Sequence, residues 1–92
     1  MDKKSVKTGD AVVFVDPTGR SHNALVTQVW GPETYPDDNG VHPSVNLVWV
    51  ETDPKYKDQY GQQIKHDTSV VHRVNQAAHG MFWWSIEDAA RA

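Results

Sequence analysis

Turn-forming clusters punctuate this chain at intervals of roughly ten residues, and the segments between them are too short and too β-branched for packed helices. Gly9-Asp10 and Asp16-Pro17-Thr18-Gly19 bracket the run Ala11–Val15, which predicts a first strand. Residues 24–30 predict a second, closed by Gly31-Pro32, and the short connection between the two makes a hairpin. In residues 44–51, Val45, Leu47 and Trp49 share one face while Ser44, Asn46, Val48 and Val50 share the other.

The remaining segments are less regular. Residues 31–43 hold three prolines, two glycines and Asp37-Asp38-Asn39 with little periodicity, which predicts a long surface loop. Residues 53–61 read as an exposed, Tyr-bearing loop with one helical turn after Asp53-Pro54. Two shorter strands are expected over 62–66 and 69–73, with a break over 75–80. Ser85 followed by Asp88 is a capping-box pattern and predicts a short C-terminal helix. Short strands without βαβ alternation predict a mainly β chain, a small antiparallel barrel with a long loop and a short C-terminal helix or extension. At 92 residues only one core is possible, so residues 1–92 are read as a single domain: a basic arm over 1–8, a barrel over 9–74 and an aromatic extension over 75–92.

Charge narrows the function. Nine basic residues face twelve acidic ones, and Lys3, Lys4 and Lys7 fall in the first seven positions, so the remainder carries six bases against eleven acids. Nucleic-acid affinity needs clustered cations, because counterion release supplies most of it, and this body has the opposite sign. The basic arm reads as a solvated terminus. With no cysteine there is no disulfide framework, thiolate metal site or thiol nucleophile. No run approaches the about 18 apolar residues of a membrane span, and no signal-peptide core follows Met1. A soluble protein made in the cytoplasm, with no membrane partner, is expected.

Motifs for chemistry are sparse. His22, His42, His66, His72 and His79 lie in different segments without metal-ligand spacing, and only His66 and His72 are placed to share a strand face or hairpin end. Asp37-Asp38-Asn39-Gly40 lacks the spaced acids of a calcium loop and reads as an Asx turn. Asp53 and Asp58 sit in a Lys-rich loop that keeps both solvated, unlike the differentiated carboxylates of a hydrolase. No nucleophile elbow or phosphate-binding glycine loop is present. A nonenzymatic role with no cofactor and no metal is expected. Trp30 and Trp49 read as core or barrel-mouth rings, while Phe82, Trp83 and Trp84 cannot all enter one core, which makes them candidate partner contacts, with packing against the chain's own barrel an equal alternative. Tyr56 and Tyr60 beside Lys55 and Lys57 are further candidates, as interface anchors, as base-stacking platforms or as cover for the barrel mouth.

The Gly9-Asp10 entry into Ala11-Val12-Val13-Phe14 is common in SH3-like and KOW-like barrels, which makes the expected barrel SH3-like. The order of Gly9-Asp10, Val26-Thr27-Gln28-Val29-Trp30, Val45-Asn46-Leu47, Thr68-Ser69-Val70-Val71-His72 and Gly80-Met81-Phe82-Trp83-Trp84 resembles a group of short proteins encoded by tailed bacteriophages near virion-structure genes. Val71 stands where that group tends to have Pro, and Trp83 where it tends to have His. The resemblance implies a phage structural or accessory protein located in the virion and made in the host cytoplasm. Its implied partners are the capsid or head–tail components, with capsid decoration first and self-association compatible. The rival reading is a KOW- or Tudor-like module for nucleic acid or a host peptide, contacting its ligand through Lys3, Lys4, Lys7, Tyr56 and Tyr60.

Overall fold

Alternation of apolar and polar side chains builds most of this structure, a computed structural model that describes residues 4–75 and 80–91. In chain order the strands are β1 (Lys4–Ser5), β2 (Ala11–Val15), β3 (Ser21–Trp30), β4 (Thr34–Tyr35), β5 (Ser44–Val50), β6 (Lys57–Asp58), β7 (Gly61–Gln62), β8 (Ile64–Val70) and β9 (Phe82–Trp84). A short helix, α1 (Ile86–Arg91), follows, and single 3-10 turns occupy Pro54–Tyr56 and Arg73–Asn75. The main sheet has five antiparallel strands in the order β8-β5-β3-β2-β9, while β1 pairs with β4 and β6 with β7. The sheet curls into a half-barrel. Its ends approach where His72, just past β8, bridges Trp83 of β9.

The inner face carries the core. His22, Ala24 and Val26 of β3 and Val45, Leu47 and Trp49 of β5 are buried, as their period of two requires. They meet Val12 and Phe14 of β2, together with Val6, Tyr35, Val70 and Trp83. Covering a ring the size of Trp83 contributes roughly 4–6 kcal/mol by area, an upper bound for an extended unfolded chain.

Local chemistry sets the turns. Asp16 Oδ1 accepts from Thr18 N (2.9 Å), Thr18 Oγ1 (2.6 Å) and Arg20 N (3.0 Å), closing the β2–β3 hairpin. Asp37 Oδ1 accepts from Asn39 N (2.8 Å) and Val41 N (2.9 Å), which is the expected Asx turn. Asp53 caps the 3-10 turn at Lys55 N, 3.1 Å, and Ser85 Oγ caps α1 at Asp88 N, 3.0 Å.

Four expectations need correction. Trp30 is 54% exposed rather than in the core or barrel mouth. A register shift between Val26 and Gln28 inverts the alternation, so Val29 turns inward and Trp30 outward, its Nε1 donating to Asn46 Oδ1 at 2.8 Å. Residues 31–43 are not an uninterrupted loop, because Thr34–Tyr35 forms β4 against β1, and both Tyr35 and Pro43 are buried. Within that segment Gly31 (φ 132) passes Pro43 so closely that an added Cβ would stand 3.4 Å from the Pro43 ring. The strands expected over 62–66 and 69–73 are instead the short β7 and one longer β8. Finally, the C-terminal segment is no appendage to a barrel over 9–74, since β9 pairs with β2 and places Trp83 opposite Phe14.

Candidate functional site

One patch on the outward face of the sheet is unexpectedly apolar. Strand positions turned to water ordinarily carry polar side chains, yet Leu25 (51% exposed), Val50 (47%) and Ile64 (66%) lie together there beside half-buried Val48. Register brings them into contact rows, with Leu25 opposite Val48 and Val50 opposite Ile64. With Ala11 and Asn23 they line a shallow cleft of about 250 Å³. Val48 and Val50 at outward positions of residues 44–51 were the sequence signal for this patch. Leu25 and Ile64 join them only through pairing across β3 and β8.

The aromatic candidates separate. Trp83 is fully buried and its Nε1 donates to Pro43 O at 3.0 Å, so it has no surface to offer a partner. Alternation along β9 sends Phe82 and Trp84 to the other side, half-buried and edge to face at 5.5 Å, with Arg73 5.4 Å from the Phe82 ring. Tyr56 is flanked by its own chain's cations, Lys55 Nζ at 5.2 Å and Lys65 Nζ at 5.1 Å from the ring centre. Tyr60, at the turn between β6 and β7, is 89% exposed and makes no ring contact among the described residues.

Of the alternative nucleic-acid contacts, Lys3 lies outside the described residues, Lys4 is paired with Asp88 of α1, and Lys7 is exposed in the turn before β2. The Lys4 ammonium, more than burial opposes it, holds the Asp88 carboxyl below its usual range.

Two polar clusters were not anticipated. In the first, His22 Nε2 meets Asp16 Oδ2 at 2.8 Å and the imidazole lies 4.1 Å from the Trp49 ring. Burial pushes the Asp16 carboxyl upward, but bonds from His22, Thr18 and the Arg20 and Thr18 amides outweigh it and bring the carboxyl to about 2. Glu51 nearby is held below its usual range by the Asp53 N–H, with burial opposing and Arg20 assisting. The His22 side chain is 2% exposed, and the pair ties the β2–β3 turn to the core.

In the second cluster, His42 stacks on His72 beneath a cleft of about 370 Å³ lined by Lys4, Tyr35, Pro36, Val74 and Asp88. His72 Nδ1 accepts from Val74 N at 3.1 Å, so the neutral ring carries its proton on Nε2, which has no hydrogen-bond partner among the described residues. Burial, then the neighbouring His42, lowers His72 to about 4, and burial raises Tyr35 to about 12. His66 and His72 do not share a face: His66 lies on β8 opposite Val48, whereas His72 has left that strand. His79 lies outside the described residues. Among the described residues no three His, Asp or Glu side chains converge as a metal site, and no helix is long and apolar enough to cross a membrane.

No family model, curated protein or solved structure matches this chain.

Proposed function

We propose that this chain is a nonenzymatic structural or accessory protein of a tailed bacteriophage that docks on a multicopy virion assembly, with the capsid surface as its first target. The observation that carries the reading is the apolar patch of Leu25, Val48, Val50 and Ile64 on the outward face of a sheet whose inner face already holds the core. Covering a few hundred Å² of such surface contributes several kcal/mol, and symmetric repetition lets a modest contact act collectively. Tyr60 extends the candidate surface as an exposed anchor. The order β8-β5-β3-β2-β9, with a 3-10 turn leading toward the last strand, supports an SH3-like assignment. The phage setting rests on the ordered sequence resemblance.

The test is quantitative mass spectrometry of purified particles, counting this chain against the major capsid protein, followed by rebinding to stripped particles. The expected result is a simple fraction of the capsid count, and rebinding that is lost in Leu25→Asp and Val50→Asp at unchanged melting temperature. Absence from particles overturns the reading. Rebinding that weakens steeply with salt and transfers to nucleic acid would favour the KOW-like module instead.

A further inference from the structure

The outer edge of β8 is an open end of the main sheet: β5 pairs its inner side, and among the described residues no strand pairs the other. Its hydrogen-bonding phase follows from the neighbouring strands. Glu51 N donates to Gln63 O at 2.9 Å, so Trp49 and Leu47, in step with Glu51, turn their backbone groups toward β8, and their partners Lys65 and Asp67 turn theirs back. The opposite side gives the same phase, because Val26 N donates to Asp10 O at 2.9 Å and so leaves Leu25 and Val48 as the exchanging pair. Ile64, His66 and Thr68 therefore aim their N–H and C=O groups away from the sheet. The regular edge ends at Ser69, which adopts φ 53 and gives its N–H to Asn46 Oδ1 at 2.9 Å.

We propose that two copies of this chain pair β8 against β8, antiparallel, about a two-fold axis at His66. Charge selects the register. With the axis at His66, the bonding positions match His66 with His66 and Ile64 with Thr68, while Lys65 falls opposite Asp67 of the second copy in the closer, non-bonded position, and the symmetry makes that contact twice. A shift of the axis to either neighbour sets Lys65 against Lys65 or Asp67 against Asp67. Asp67 is already oriented, its Oδ2 accepting from Trp49 Nε1 at 2.7 Å, which leaves Oδ1 for the incoming ammonium. Lys65 stands 5.1 Å from the Tyr56 ring and is held beside the same edge. A lone edge lysine would repel an incoming strand; Lys65 two positions before Asp67 instead makes the edge self-complementary. Joining the sheets also sets the two apolar patches side by side on one surface. The contact is small against the roughly 1,600 Å² of a standard interface, so association is weak and concentration-dependent.

Sedimentation velocity from micromolar to millimolar protein tests this, with circular dichroism confirming each fold. The wild type is expected to shift from monomer toward dimer. Lys65→Asp, which sets two carboxylates face to face at both contacts, weakens the dimer about tenfold, the double variant Lys65→Asp with Asp67→Lys restores it, and His66→Pro, which removes an outward N–H, abolishes it. A wild type that stays monomeric throughout, or a Lys65→Asp variant that associates as tightly as the wild type, overturns the proposal. Because Asp67→Lys also removes the Trp49 contact, mixed-isotope NMR of the wild type gives a separate reading. An intermolecular cross-peak between Lys65 Hα and Asp67 Hα is expected, and a dimer without it overturns the register.

Discussion

His42 stacks on His72 with ring centroids 4.5 Å apart and planes 26° from parallel, in a cleft also lined by the ion pair of Lys4 with Asp88. Both rings also lie against Tyr35, each at 5.3 Å. Burial first, and the neighbouring His42 second, disfavour a charge on His72, which is why it stays neutral until pH falls toward about 4.

Stability should therefore fall on mild acidification. His72 is lowered from 6.5 to about 4 by burial first and His42 second, with Asp88 opposing and Lys4 and Arg73 adding to the shift. Between those values the unfolded chain binds a proton that the folded chain refuses. The stabilisation is thus fully present above pH 6.5 and is lost as pH falls toward 4, by roughly 1–3 kcal/mol. Urea unfolding at stepped pH should show this slope in the wild type and not in His72→Phe, which keeps a ring against Trp83 without a titrating nitrogen. Equal slopes in both proteins would assign the effect elsewhere.

Asp16 governs the opposite end of the sheet. Its carboxylate accepts from Thr18, Arg20 and His22 at once, so Asp16→Ala leaves the β2–β3 turn open and His22 buried without its partner. The expected cost is about 2–3 kcal/mol by chemical denaturation. Asp16→Asn should cost less, since an amide oxygen still accepts from the turn. In the wild type this contribution disappears as pH falls from 3.8 toward about 2, below the His72 window.

The two most conspicuous aromatic positions should respond in opposite ways. Trp83→Ala removes a fully buried ring and its bond to Pro43, costing about 3–5 kcal/mol, a large part of the total for a domain this small. Tyr60→Ala, at 89% exposure, should change stability by no more than about 0.5 kcal/mol. Thermal melts read by Trp fluorescence would separate the two. A Trp83→Ala variant that melts like the wild type would remove that ring from the core.

What the sequence determined by itself is local. Asp37, Asp53 and Ser85 set their turns and caps through amides two to four residues on, and Val45, Leu47 and Trp49 follow a strand's own period, so chain neighbours alone suffice. Alternation within Phe82-Trp83-Trp84 likewise separates Trp83 from the other two, but which side became core was decided by pairing with Phe14, far away in sequence. The same holds for Trp30, turned outward by one shift against β5, for β4, which exists only because β1 reaches it, and for the stack of His42 on His72. The outward apolar patch assembled in the same way, from β3, β5 and β8 together. Burial and contact are properties of register between distant segments, and a single inserted residue inverts every face beyond it.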